Sequence, residues 1–280
     1  MHRVLTGPLT VERVRVEIAD LPNSLNNLRL VQLSDFHFDG LRLSERLLKR
    51  AIAASNAAAP DVVLLTGDYI TDDPAYIHEL APWLKTLHSR CGIIACLGNH
   101  DICRRPSRAE VTQALSSVGV VVLWNDVAYP LGPELPIVGL ADFWSAEFAP
   151  APVMAKLNPA VPRIILSHNP DTAELLQAWR VDLQLSGHTH GGQVVVPGVG
   201  TLAQLAAPLY YKLPKRVRRS LPGLKSYYRV AKHWEWSQGL HRVGSNQLYV
   251  NRGLGTYFPG RVFCPPEVTV ITLVSSPGNP

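Results

Sequence analysis

No run of about 18 or more apolar residues occurs in the 280-residue chain, so a membrane-spanning helix is not expected. Residues 1–22, MHRVLTGPLTVERVRVEIADLP, lack the apolar stretch of a secretory signal, and the expected location is the cytoplasm. Cysteine is scarce: Cys91, Cys96, Cys103 and Cys264 form no CxxC pair and no zinc-finger spacing. That excludes a thiolate-zinc module and a disulfide framework, leaving reduced, mostly buried thiols as the expectation. Acidic residues are missing from Leu183 to Trp234, where eight lysines and arginines stand. Those eight exceed the net charge of +5 for the whole chain, so the remainder is net negative and the basicity is a local patch. With 46% hydrophobic and 18% charged residues, the composition excludes a disordered chain and fits an enzyme with a substantial core. No internal repeat and no dividing linker is present, so a single domain over 1–280 is expected, with a basic and aromatic insertion at about 202–236.

What is present is an alternation of apolar runs and amphipathic stretches. LRLVQLSDFH (28–37), DVVLLTGDY (61–69), GIIACLGNHD (92–101), PRIILSHNP (162–170) and VDLQLSGHTHGG (181–192) read as strands that run into polar residues. GVVVL (119–123), LPIVGLAD (135–142), NQLYVNRGLG (246–255) and EVTVITLV (267–274) read as further strands. Residues 43–59 read as an amphipathic helix capped by Ser44, 74–90 as a helix interrupted at Pro82, and 107–117 as another helix. Strands apolar along their whole length point to burial on both faces, and their alternation with helices points to an α/β fold.

Five strands end in short polar clusters: Asp35 and His37, Asp68, Asn99 to Asp101, His168, and His188 with His190. In open α/β sheets ligands bind beyond the carboxyl ends of strands, so clusters in shared sheets would converge on one cleft. Singly, each has an ordinary explanation as a turn or cap; in GHTHGG, two histidines two apart on a strand would share a face. Together they supply carboxylate, amide and imidazole ligands and no thiolate. That set suits manganese, iron, zinc or a similar divalent ion better than a soft metal.

This ordered set resembles the calcineurin-like metallophosphoesterases. Their pattern is complete here as SDFH, TGDY, LGNHD, LSHNP and SGHTHGG, and the resemblance spans about residues 28–275. GHTHGGQ and LYVNRGLGTYFPGRVFCPPEVTVITL look most like the bacterial YaeI/YkuE-type phosphodiesterases. The resemblance implies a four-layer α/β/β/α sandwich with the site at one end of two central sheets. It implies that Asp35, His37 and His190 bind a first metal, that Asn99, His168 and His188 bind a second, and that Asp68 bridges both. A carboxylate can bridge through its two oxygens. Two ions about 3.5–4 Å apart would share a hydroxide and clamp a phosphoryl oxygen. His100 matches the non-ligand histidine of the family, expected to protonate the leaving oxygen or bind phosphate, with Asp101 orienting its ring. A helix-capping turn is the alternative for Asp101.

The substrate is less legible. GDYITDD and GNHD depart from the GDxVDRG and GNHE of the serine/threonine phosphatases of this superfamily, which disfavours that class. A phosphodiester or pyrophosphate is expected, with UDP-2,3-diacylglucosamine as the specific candidate. The alternatives are a nuclease, a cyclic-nucleotide phosphodiesterase, and a non-catalytic metal-binding scaffold on the same fold. Segment 202–236 joins an apolar stretch, a basic run and the aromatics Tyr210, Tyr211, Tyr227, Tyr228, Trp234 and Trp236. Such a segment suits peripheral contact with an anionic membrane or, less well, a nucleic-acid strand; an ordinary basic loop is the alternative.

Overall fold

The structure, a computed structural model, describes residues 6–104, 106–214, 216–217 and 230–276, the side chains of 207–211 excepted. Two six-stranded sheets carry the architecture. The first has the order β1–β14–β2–β3–β4–β5, with β1 Thr10–Ala19, β2 Arg29–Leu33, β3 Val62–Leu65, β4 Ile93–Ala95, β5 Val120–Val122 and β14 Glu267–Ser276. The second has the order β12–β13–β9–β8–β7–β6, with β6 Asp126–Ala128, β7 Ile137–Gly139, β8 Ile164–Leu166, β9 Leu183–Ser186, β12 Gly239–Val243 and β13 Asn246–Val250. β2 to β5 are mutually parallel, as are β7, β8, β9 and β13, so each sheet delivers several strand ends to the same side. A small hairpin, β10 Val195–Val196 and β11 Gly200–Thr201, follows the last polar cluster.

Alternate residues of the central strands enter different cores, as the pleat requires. Val31, Leu33, Val63 and Leu65 pack outward against helices α1 Glu45–Ala57, α2 Ile77–Leu84 and α3 Ser107–Ser117. Leu30, Val62, Leu64 and Ile94 pack inward against Ile137, Ile164, Leu166, Leu183 and Leu185 of the other sheet. On its far face the second sheet turns Val138 and Ile165 toward short helices α4 Pro150–Met154 and α5 Thr172–Leu176. Helix, sheet, sheet and helix are thus the four expected layers, and the apolar strands are buried on both faces as their composition requires.

Local chemistry accounts for the boundaries. Ser44 caps α1, its hydroxyl accepting the Leu47 N–H. Pro82 lies inside α2, which ends two residues later. β1, which the strand pattern above does not include, alternates polar and apolar residues and buries Val16 and Ile18 between the sheets while its charged face stays in water. Cys96 and Cys264 are buried free thiols, but Cys91 is half-buried and Cys103 exposed. Within residues 202–236, α6 Leu202–Lys212 is a described helix. Lys215, Arg218, Arg219, Lys225, Arg229, Tyr227 and Tyr228 lie outside the described residues.

Candidate metal centre

The five polar clusters meet at the ends of the two sheets. Asp35 and His37 leave β2, Asp68 leaves β3 and Asn99 leaves β4; His168 leaves β8, and His188 and His190 leave β9. All but the half-buried Asn99 are buried. The backbone turns sharply to do this: Asp35, His37, Asp68, His188 and His190 have φ between 43 and 70°. Non-glycine residues rarely adopt this left-handed region, and such strain gathers at functional sites. Gly187 permits the closest approach, since a Cβ there would lie 2.2 Å from Asp35 Oδ2 and 2.0 Å from Ser34 Oγ.

Two clusters of ligand atoms form, Asp35–His37–His190 and Asp68–His168–His188. His37 Nε2 and His190 Nε2 are 3.1 Å apart, with Asp35 Oδ1 3.5 Å from the latter. His168 Nε2 and His188 Nδ1 are 3.2 Å apart. Asp68 Oδ2 lies 3.4 Å from His37 Nε2 and 3.1 Å from His168 Nε2, so one oxygen faces both clusters. The other, Oδ1, accepts the His100 N–H at 2.9 Å.

The outer nitrogen of each imidazole is spoken for. His168 Nδ1 donates to Thr66 O (2.7 Å), His188 Nε2 to Val230 O (2.7 Å) and His190 Nδ1 to Gly255 O (3.2 Å). His37 Nδ1 meets the Tyr257 hydroxyl at 3.0 Å. With protons on their outer nitrogens, His188 and His190 turn inner lone pairs into the two clusters, 3.2 Å from His168 Nε2 and 3.1 Å from His37 Nε2. Outer-nitrogen partners of this kind orient metal-binding histidines. Asn99 Oδ1 adds a buried oxygen with no hydrogen-bond partner among the described residues. The donor set therefore fits divalent cations.

The electrostatics are unequal. Burial pushes His37 and His188 down to about 3, with the charge of His168 adding to the shift at His188. Burial and the neighbouring His37 likewise lower His190. Burial alone would lower His168 too, but the Asp68 and Asp35 carboxylates outweigh it and raise it to about 10. Burial raises Asp35 to about 6. Asp68 sits well below the ordinary carboxylate range, because His168, His100 and His37 overcome the effect of burial.

His100 stands beside this centre, half-buried, and shares a third cluster with His37 and Asp68. Its ring is not oriented by Asp101, contrary to the sequence-based expectation: His100 Nδ1 donates to Thr71 O at 2.6 Å. The Asp101 carboxylate instead accepts the N–H groups of Asp68, Tyr69 and Gly98, each at 2.8 Å. Asp101 is a clamp on the loops that carry Asp68 and Asn99, closer to the turn-capping alternative. His188 and His190 also differ from the shared-face expectation. β9 stops at Ser186, and the left-handed backbone beyond it sends His188 toward His168 and His190 toward His37.

Sequence reasoning did not single out Tyr257, Arg42 or Trp144. Tyr257 touches His37 and carries the Arg42 guanidinium 4.5 Å above its ring; the exposed Trp144 sets its edge against His188 at 4.9 Å. Tyr257 lay in the quoted stretch GTYFPGR, but nothing in its spacing announces the contact. Lone aromatics in irregular loops give no periodic signal.

Comparison with known proteins gives a consistent picture. The family model for calcineurin-like phosphoesterases matches residues 28–192. Phosphodiesterase YaeI of Escherichia coli (strain K12) is 31% identical over 94% of this chain and 88% of its own length. The UDP-2,3-diacylglucosamine pyrophosphatase LpxG of Chlamydia trachomatis is 30% identical over 90% of this chain and 85% of its own. Metallophosphoesterase YkuE of Bacillus subtilis (strain 168) is 30% identical over 91% and 82%.

Proposed function

The chain belongs to the calcineurin-like phosphoesterase family and is a metal-dependent phosphoric ester hydrolase of the YaeI/YkuE type, and from that premise we propose that it cleaves the pyrophosphate of UDP-2,3-diacylglucosamine or a closely related lipid-linked nucleotide. The observation that carries the dinuclear part is Asp68 Oδ2, which faces His37 Nε2 and His168 Nε2 at once. In this reading Asp35, His37 and His190 hold one ion, Asn99, His168 and His188 the other, and Asp68 is common to both. Manganese is the proposed metal, iron or zinc the alternatives. Two such ions, when bound, would supply Lewis acidity for displacement at phosphorus.

The residues of the chain do the rest. Thr66, Val230 and Gly255 carbonyls hold the imidazole tautomers that present lone pairs inward. Thr71 O accepts the hydrogen bond of His100 Nδ1, leaving Nε2, when it carries a proton, to give it to the leaving oxygen or to bind the phosphate. Asp101 keeps the Asp68 and Asn99 loops together. The substrate reading is supported by roughly 30% identity to a relative named for the UDP-2,3-diacylglucosamine pyrophosphatase reaction and to another named as a phosphodiesterase. Among the described residues no helix is long and apolar enough to cross a membrane. A cytoplasmic site with peripheral contact to anionic lipid through 202–236 belongs to the same reading.

A side-by-side assay with Mn²⁺ tests it, comparing bis(p-nitrophenyl) phosphate, p-nitrophenyl phosphate, a cyclic nucleotide and UDP-2,3-diacylglucosamine. The reading expects the pyrophosphate to be the best substrate and the diester to exceed the monoester. Preference for the cyclic nucleotide moves the enzyme to the nucleotide phosphodiesterases. Full metal content with no turnover of any of the four makes it a binding scaffold.

A further inference from the structure

The mouth of the metal centre is bordered by an apolar rim that the hydrolytic reading leaves unused. Three loops are joined there by backbone bonds. Val194 bridges to Val262, Val195 N donates to Val262 O at 2.9 Å, and Val262 N donates to Gln193 O at 2.8 Å. Thr256 N donates to Arg42 O at 3.0 Å, adding the loop that carries Leu41. The unit abuts the site directly, because Gln193 Oε1 accepts the Tyr257 N–H at 2.7 Å and the Tyr257 hydroxyl meets His37 Nδ1. From this frame large apolar side chains stand in solvent: Phe258 is 91% exposed, Phe263 72%, Leu41 66% and Val199 62%, with Val196 and Leu202 also exposed.

Single exposed apolar residues are ordinary on a protein surface, but a contiguous group on hydrogen-bonded neighbouring loops marks something that covers it. Charge identifies the cover. No Asp or Glu occurs from Leu183 to Trp234, and exposed Lys212 and Arg216 follow the hairpin and Leu202 on the same stretch of chain. Asp39, two residues before Leu41, is paired with Arg42. An apolar surface flanked by base without acid is complementary to acyl chains beneath anionic head groups. Neither component alone holds a protein to a bilayer, but the two together do. We propose that this rim, formed by Leu41, Val196, Val199, Leu202, Phe258 and Phe263, docks on the surface of an anionic membrane and sets the mouth of the metal centre against the lipid.

The rim adds an apolar half to the basic segment proposed above, and its preference for an anionic surface rests on that reading, whereas docking does not depend on which phosphoester is cleaved. Vesicle binding reads the docking and turnover of a small diester reads the reaction, so either can fail without the other. The full chain is sedimented with vesicles of phosphatidylglycerol and phosphatidylethanolamine, and separately with phosphatidylcholine alone. The parent is expected to bind the anionic vesicles more strongly. The double variant Phe258→Ser with Phe263→Ser is expected to lose about tenfold or more in partitioning. Both side chains are exposed, so its turnover of bis(p-nitrophenyl) phosphate should match the parent and report that the site is folded. A second variant, Phe258→Trp, should keep binding and be quenched by brominated acyl chains beyond the level of the parent. Equal binding by parent and double variant, or no added quenching in Phe258→Trp, overturns the proposal. So does a parent that dimerises in solution while the double variant is monomeric, which would make a second copy the cover. Equal binding to neutral and anionic vesicles overturns the choice of an anionic surface.

Discussion

The two halves of the proposed metal centre contain similar ligands but reach it differently. Asp35 and His37 come from one exit, that of β2, and are joined by His190 from the other sheet. In the second half the weight is reversed: Asn99 comes from the first sheet, and His168 and His188 come from the second. Neither sheet makes either half alone, so the centre forms only when the inter-sheet core aligns the two sheets. The halves also differ in proton load. His37 and His190 are held neutral by burial, whereas His168, closer to Asp68 and facing Asp35, is held protonated to about pH 10. A ligand set that looks symmetrical in composition is therefore lopsided in charge, and the cause is the position of Asp68.

The largest effect should come from the residue the halves share. Asp68→Ala is expected to lower Mn²⁺-dependent turnover of bis(p-nitrophenyl) phosphate by about 10⁴-fold or more, since both Lewis acids lose a ligand. Elemental analysis should show metal lost; full occupancy with parent-like turnover would remove Asp68 from both halves. Next comes His100→Ala, expected to keep its metals and lose about 10²–10⁴-fold in rate, with a smaller loss where the leaving group is nitrophenol. If the folded variant loses metal instead, His100 joins His37 and Asp68 as a ligand and the first half gains a member.

Tyr257→Phe sharpens the contrast within the second layer. It removes the hydroxyl on His37 Nδ1, so the first half should bind its ion about tenfold more weakly while the second is unchanged. Equal weakening of both sites in a metal titration would mean the halves are coupled as one unit. The smallest effect is a proton count. At about pH 8 His168 in the metal-free protein is protonated, whereas His37 and Asp35, with values near 3 and 6, are not. Metal entering the second half must displace that proton; metal entering the first has none to displace. Affinity of the second half should thus rise with pH, about tenfold per unit, and level off as pH passes about 10, while the first is flat above about pH 6. Calorimetry in buffers of different ionisation enthalpy should register about one proton released, and none released would break the asymmetry.

Much of this was legible before any coordinates. The ordered Asp, His and Asn clusters after apolar strands are short-range patterns, and those strands and helices α1, α2 and α3 follow from periodicity and caps. β1 is not among those strands although its alternation is regular, and the two short helices outside the second sheet are too brief to leave a period. The partner of His100 was misjudged because adjacency in sequence suggested Asp101. In space the left-handed turn at Asp68 brings Thr71 O to the ring and turns the Asp101 carboxylate into the backbone.

The sequence by itself determined which residues could bind metal, at which strand ends, and within what family of fold, because ligand chemistry and strand periodicity are local properties. Only the tertiary structure decided what holds them in place. Asp68 turns one oxygen toward both halves, and Tyr257 meets His37 and Val230 meets His188 from 220 and 42 residues away along the chain. These are distances between segments remote in sequence. They are set by the packing of one sheet on the other, and no window of sequence contains both partners.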